Sequence, residues 1–217
     1  MAINQEGGVL CQDNSPVIMF GDDGASLTRE GVSNARRRKW SASAQKAQHG
    51  CRARFAGEKL LPWRTVPYSP AHVGSVSHSS LERLMKRDPS QRSRKALAEC
   101  VTDSVRASIA KGELTDDDFQ PYVDAVTKLS KLIFSIEDPT SVDVVATEKW
   151  ISDLSIGGVP FTGAMDRIDR VGDEFVLVDY KTGKRPNLKF GDDHGDQLRL
   201  YAHVVPRALK HEVKELK

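Results

Sequence analysis

Residues 163–201 read GAMDRIDRVGDEFVLVDYKTGKRPNLKFGDDHGDQLRLY, and this stretch decides the fold. Two short apolar runs within it are separated by the dipeptide Gly172-Asp173. A Gly-Asp pair between two such runs predicts a β-hairpin with a tight turn. In that hairpin Val171 faces Glu174, and the register continues outward along both strands.

The predicted register brings three charged side chains together. It places Asp166 opposite Asp179, and Lys181, two residues further on, points to the same face as Asp179. Two carboxylates and one ammonium would then converge within roughly 5 Å. Opposed carboxylates destabilise a sheet unless a positive charge lies between them. Hard oxygen ligands suit Mg²⁺ or Mn²⁺, so the pattern predicts a divalent cation here.

The spacing D-x12-D-Y-K resembles the core of the PD-(D/E)XK nucleases, with Asp166, Asp179 and Lys181 in its three places. Three blocks, G-A-M-D-R-I-D-R, V-D-Y-K-T-G-K and Q-L-R-L-Y-A, narrow the resemblance to the RecB-like branch, which includes Cas4-type and phage-encoded exonucleases. The resemblance covers residues 142–205 well and residues 40–87 more loosely. It implies an α/β (α+β) fold: a restriction-endonuclease-like core with a mixed sheet flanked by helices, plus an N-terminal helical part.

The same resemblance implies a Mg²⁺-dependent deoxyribonuclease, with Mn²⁺ able to substitute. Exonuclease is favoured over endonuclease, with a role in DNA recombination, repair or phage DNA processing and with recombination or replication proteins as partners. Asp166, Asp179 and the backbone carbonyl of Tyr180 would bind the metal, and Lys181 would orient the attacking water. The sequence contains no helix-turn-helix or zinc finger that would make the protein a site-specific cutter.

The segment G-S-V-S-H-S-S-L-E-R-L lies in a helix predicted over residues 73–87. It resembles the family block that donates a metal-binding histidine, which implies that His78 binds the same ion or a second one. A lone histidine on a helix is otherwise more often a structural or surface residue.

An iron–sulfur cluster is not expected. A helix predicted over residues 41–61 resembles the opening helix of RecB-like nucleases, in which a cysteine at the place of Cys51 ligates a cluster in some members. Such a cluster needs four thiolates, and no cysteine follows Cys100. We therefore interpret Cys51 as a small buried hydrophobic residue.

Substrate-binding residues are expected on both sides of the hairpin. A helix predicted from residue 193 to 209 carries Gln197 and Tyr201 one turn apart, in the family signature Q-x-x-x-Y, which contacts the substrate backbone or supports metal ligands. Arg37, Arg38 and Lys184 are expected to bind DNA phosphates without reading sequence. A basic run is otherwise a solvated surface.

Alternating apolar residues from position 142 predict a strand, and a Gly-Gly turn after it predicts a second hairpin. A tight turn there places Glu148 opposite Arg167, on the side away from Asp166, as a cross-strand charge pair. Family members carry a functionally important glutamate near this place, and a bulge at Pro160 would change the register.

The length fits one domain of ordinary size. Residues 1–35 are predicted to form a weakly structured arm with one short strand, and residues 36–217 the nuclease domain. Within it, residues 41–134 form the helical part and residues 142–210 the catalytic sheet and helix. The final segment, residues 207–217, is predicted to be helical; because relatives continue with another strand, the chain is expected to be shortened here.

The 32 basic and 30 acidic side chains nearly cancel, so net charge does not indicate a nucleic-acid binder. A soluble intracellular protein without membrane association is expected, because no apolar run approaches 18 residues. The resemblance implies the cytoplasm of a bacterial or phage-infected cell. Oligomeric state is left open. Two alternatives remain: a catalytically inactive nuclease fold that binds DNA, and an interaction protein whose acidic pair is ordinary surface charge.

Overall fold

The computed structural model describes residues 9–10, 16–21, 24–28, 39–50, 67–183, 193–209 and 212–217. The chain divides into two compact units. Unit 1 contains Met1–Arg64 and Ile151–Gly163, and unit 2 contains Thr65–Trp150 and Ala164–Lys217. All residues of the candidate site described below belong to unit 2.

The strands of the described residues are β1 (Val9–Leu10), β2 (Pro16–Gly21), β3 (Gly24–Leu27), β4 (Asp143–Ile156), β5 (Val159–Val171), β6 (Glu174–Val178) and β7 (Val213–Leu216). The helices are α1 (Ala42–Gly50), α2 (Pro70–Met85), α3 (Arg94–Ala110), α4 (Phe119–Ser130), α5 (Ile133–Ile136) and α6 (Asp193–Leu209). Short 3-10 turns at Pro89–Gln91 and Asp116–Asp118 precede α3 and α4. Within the described part of the chain, no helix is long and apolar enough to cross a membrane.

The N-terminal segment forms an antiparallel sheet of order β1-β2-β3, where the sequence predicts a single strand. Gly21 pairs with Gly24, which closes a tight turn between β2 and β3. Pairing satisfies backbone N–H and C=O groups that one isolated strand would leave without partners.

The second sheet has the order β4-β5-β6-β7 and is mixed. β5 and β6 are antiparallel, with Val171 opposite Glu174 and Arg167 opposite Val178, so the predicted hairpin register is confirmed. Gly172 has a φ of 65°, a conformation that glycine adopts without strain. β6 ends at Val178, just before the D-Y-K motif.

Val213–Leu216 form a strand, so the helical conformation predicted for these residues is wrong. β7 runs parallel to β6. The backbone N–H of Phe175 donates to the Glu212 carbonyl at 2.9 Å, and the N–H of Lys217 donates to the Leu177 carbonyl at 2.9 Å. The free edge of β6 offers backbone partners that the charged tail pairs with.

Helices α2, α3 and α4 pack together around one apolar core. Its fully buried members include Leu84, Val101, Val105, Tyr122 and Val126. Burying each such side chain stabilises the fold by about 1.5–3 kcal/mol relative to exposure. This core fixes α2, the helix that carries His78.

Local sequence sets where the helices begin and how α2 packs. Ser69 accepts a hydrogen bond from the His72 N–H at the start of α2, and Ser93 caps α3 in the same way. Gly74 in α2 lies close to the segment after β6. A Cβ added at this position would be 2.8 Å from Thr182 Oγ1. Glycine at this position permits the close approach.

Candidate active site

Asp166 on β5 lies where α2 and the segment after β6 meet. Its Oδ2 accepts a hydrogen bond from the backbone N–H of Tyr180 at 2.6 Å. The same oxygen lies 3.4 Å from Nδ1 of His78, which α2 presents. The fold therefore brings together three predicted site residues, His78 on α2, Asp166 on β5 and Tyr180 of the D-Y-K motif.

The side chains of His78, Glu148 and Asp166 form a group that we call the acidic cluster. Each offers one ligand atom, and these atoms all lie within 4.8 Å of one another. All three residues are partly buried. Carboxylate oxygens and an imidazole nitrogen are suitable ligands for a divalent cation, so the donor set fits a metal.

Glu148 lies on the same side as Asp166, and the predicted cross-strand pair of Glu148 with Arg167 is wrong. Glu148 has a φ of 46°, a left-handed conformation that interrupts the regular strand geometry of β4. The alternation of buried and exposed residues changes phase there: Trp150 is 67% exposed, whereas Ile151 is 5% exposed. No glycine or asparagine stands at this position, so only the family resemblance pointed to a glutamate near here.

The protonation equilibria reflect an excess of negative charge. Burial raises the pKa of Glu148, and the charge of Asp166 raises it further. Burial alone would lower the pKa of His78, but its hydrogen bond with Asp166 and the charges of Asp166, Asp179 and Glu148 raise it overall. A bound cation would relieve this repulsion between carboxylates.

Asp179 is tied to a different set of groups and is not part of the acidic cluster. It forms an ion pair with Lys181. Gln197 joins the two, because its Nε2 donates to Asp179 Oδ1 at 3.0 Å and its Oε1 accepts from Lys181 Nζ at 3.3 Å. Burial raises the pKa of Asp179, the charge of Asp166 adds to the rise, and Lys181 opposes it.

Tyr201 supports Gln197 from one helical turn away. The Gln197 Nε2 lies 3.4 Å from the Tyr201 hydroxyl. Tyr201 is only 5% exposed, and burial raises the pKa of its hydroxyl. The buried position favours support of Gln197 over direct contact with a substrate.

The family model for the PD-(D/E)XK nuclease superfamily matches residues 39–216. The chain belongs to the PD-(D/E)XK nuclease superfamily. No curated protein matches it. Membership implies nuclease activity, and the mixed sheet with its helices is a restriction-endonuclease-like α/β fold, as the sequence predicts. Nucleases of this superfamily typically use divalent metals, which the acidic cluster could hold. The RecB-like branch stays a prediction.

This nuclease also contains a group of buried charges that sequence reasoning missed. Arg167 is fully buried. Its guanidinium donates to Glu137 Oε2 at 2.8 Å, lies 2.9 Å from Asp169 Oδ2, and donates to the Tyr180 hydroxyl at 2.7 Å. We call these four residues the buried ion cluster. Strand alternation places Arg167 on the face opposite Asp166, but Glu137 is 30 residues away and has no local signal.

Several predicted residues lie outside the described part of the nuclease. They are Arg37, Arg38, Lys184 and Cys51. Cys100 is buried and carries a free thiol. The expectation that no iron–sulfur cluster is bound therefore stays a prediction from the sequence.

Proposed function

We propose that this protein is a Mg²⁺-dependent deoxyribonuclease of the RecB-like branch, which Mn²⁺ can also activate. It hydrolyses phosphodiester bonds, as an exonuclease in DNA recombination, repair or phage DNA processing. The observation that carries the proposal is the convergence of His78, Glu148 and Asp166 within 4.8 Å, beside the ion pair of Asp179 and Lys181. Three carboxylates, an imidazole and an ammonium that lie near one another are suited to phosphodiester hydrolysis.

The acidic cluster would hold the cation, with Asp179 and the backbone carbonyl of Tyr180 as further ligands. When bound, a divalent cation neutralises charge on the phosphate and makes a water more acidic. The hydrogen bond from the Tyr180 N–H holds Asp166 Oδ2 in a fixed direction. His78, hydrogen-bonded to Asp166, is fixed by the same carboxylate.

Lys181 would act on the chemical step. Its side chain is 38% exposed, so it can reach a substrate, while Asp179 and Gln197 hold its ammonium. A positioned ammonium orients the attacking water and stabilises negative charge that develops on the phosphate. Tyr201 would act as a positioning residue for Gln197.

The sequence supports the remaining parts of the proposal. Arg37, Arg38 and Lys184 would bind DNA phosphates without base specificity. Recombination or replication proteins as partners, and action in the cytoplasm of a bacterial or phage-infected cell, follow from the resemblance to RecB-like nucleases.

The test compares end-labelled linear single-stranded and double-stranded DNA with closed circular DNA, in Mg²⁺, Mn²⁺ and EDTA. We expect cleavage of linear DNA in either metal, none in EDTA, and little cleavage of circles. Asp179→Asn, purified in parallel, controls for contaminating host nuclease and should be inactive. Cutting of circles would replace exonuclease by endonuclease, and equal cleavage by both proteins, or none by either, would refute the proposal.

A further inference from the structure

A pocket of about 270 Å³ opens beside Asp179 and Lys181. One part of its wall is apolar and comes from Leu81, Leu129, Leu132, Ile133 and Ile136. The segment from Val178 to Gly183, which contains the D-Y-K motif, also lines it. The pocket is therefore continuous with the proposed catalytic residues.

Ser130 gives this pocket an unusual polar group. The side chain lines the pocket and is 2% exposed, yet among the described residues its Oγ has no hydrogen-bond partner. Two other buried serines of the helices donate to a carbonyl one turn earlier, Ser77 at 2.9 Å and Ser80 at 2.8 Å. A buried hydroxyl without a partner is costly, and a bound group that hydrogen-bonds to it would remove that cost.

The rim of the pocket exposes large apolar side chains. Leu132 is 51% exposed and Ile136 is 78% exposed, and both line the pocket. Pockets for drug-sized ligands measure about 300–1,000 Å³. A volume of about 270 Å³ therefore suits one ring system and not a whole nucleotide. The lining also contains charged side chains, those of Glu137, Asp179, Lys181 and Lys217. The aliphatic wall with the Ser130 hydroxyl beside it suits a ligand that has apolar faces and a polar edge.

We propose that this pocket receives one unpaired nucleobase of the DNA substrate, next to the phosphate that is cleaved. The inference rests on the proposed nuclease function and adds the substrate class. The aliphatic side chains would contact the faces of the base, and the Ser130 hydroxyl would hydrogen-bond its edge. A paired base inside a duplex is stacked and enters only after it is flipped out, which costs free energy that an unpaired base does not require. The favoured substrate is thus a single strand or an unpaired end.

The test uses a double-mutant cycle between protein and DNA. Wild type, Ile136→Ala and Ser130→Ala bind a set of single-stranded oligonucleotides in Ca²⁺, each with one abasic residue at a different position. For wild type, one position should weaken binding by about fivefold to a hundredfold, the range for losing one base contact. Both variants should be less sensitive than wild type to the abasic residue at that position, because each has lost part of the contact with the base.

Two controls separate binding from folding. Val171 is also an exposed apolar residue, at 45% exposure, but it does not line the pocket, so Val171→Ala should respond to abasic residues as wild type does. Removing the unpartnered hydroxyl in Ser130→Ala should leave the melting temperature unchanged or raise it. A large fall in melting temperature would show that the hydroxyl is structural and would overturn its role in binding.

The outcomes distinguish this inference from the function on which it rests. If wild type cleaves DNA but binds every abasic oligonucleotide equally well, the pocket does not hold a base and the nuclease proposal stands. If the variants lose binding of a partner protein but keep wild-type DNA affinity, the pocket binds a protein segment and the inference is wrong. If wild type neither binds nor cleaves DNA, the proposed function fails and the inference fails with it.

Discussion

The acidic cluster and the buried ion cluster are built from neighbouring residues of β5 but differ in burial and in the basic group that faces their carboxylates. Asp166 belongs to the first, which is partly buried and contains two carboxylates and one imidazole. Arg167 belongs to the second, where a fully buried guanidinium is bound by two carboxylates and a phenol hydroxyl. Successive residues of a strand point to opposite faces, so one strand supplies both clusters.

The difference separates structural charge from functional charge. A buried charge is tolerated when it is paired and hydrogen-bonded, and the guanidinium of Arg167 meets that condition. The acidic cluster keeps an excess of negative charge near solvent, which disfavours the isolated protein but favours a bound cation. A permanently charged guanidinium faces the carboxylates of the buried ion cluster, whereas only a titratable imidazole faces those of the acidic cluster. The acidic cluster is therefore the one that is available for chemistry.

Tyr180 connects the two clusters. Its backbone N–H donates to Asp166 at 2.6 Å, and its hydroxyl accepts from Arg167 at 2.7 Å. The buried ion cluster thus holds the phenol group of Tyr180, while the Tyr180 backbone orients the Asp166 carboxylate of the acidic cluster. Changes in the buried ion cluster should therefore have a secondary effect on activity.

The largest expected effect comes from the acidic cluster. Asp166→Asn removes one of its two carboxylates and should abolish cleavage. The melting temperature without metal should stay the same or rise, because a like-charge repulsion is lost. Cleavage of end-labelled DNA in Mg²⁺ and thermal unfolding in EDTA measure the two effects. Full activity would remove Asp166 from the proposed site.

The buried ion cluster should show the opposite pattern. Arg167→Met leaves the buried Asp169 and the partly buried Glu137 without their cation, and breaking a buried ion pair costs about 3–5 kcal/mol of unfolding free energy. Arg170→Met, at an exposed position of the same strand, is the matched control and should change stability by about 0.5 kcal/mol or less. Urea unfolding measures both. Equal stability of the two variants would contradict a structural role for Arg167.

Lys181→Ala tests the chemical step alone. The cleavage rate should fall by about a hundredfold or more, the scale of losing one preorganised donor. DNA affinity in Ca²⁺ should change far less, because many phosphate contacts contribute to it. Single-turnover cleavage and equilibrium binding separate the two. Equal losses in cleavage rate and in DNA affinity would show that Lys181 only binds a phosphate and does not act on the chemical step.

The smallest effect is expected at Gly74. Gly74→Ala places a Cβ 2.8 Å from Thr182 Oγ1, so the residue after Lys181 must shift. Because a threonine hydroxyl can rotate away, the rate should fall by about tenfold or less, within the range for a mild steric conflict. The double variant Gly74→Ala/Thr182→Ala removes the conflicting oxygen and should recover the rate. Failure to recover would show that the conflict is not the cause.

The sequence alone determined the features that depend on neighbouring residues. The Gly-Asp turn set the register of β5 and β6, since strand alternation and turn geometry are local. The helix predicted over residues 193–209 is α6 with the same bounds. The D-x12-D-Y-K spacing identified the superfamily.

The tertiary structure decided the features that depend on distant partners. Glu148, a member of the acidic cluster, has a left-handed backbone conformation that its own residue type does not favour. The C-terminal segment became a strand because β6 left a free edge. Arg167 could be buried only because Glu137, from a distant part of the chain, balances its charge. Local propensity cannot predict these features, since each depends on hydrogen bonds or charges that only packing brings together.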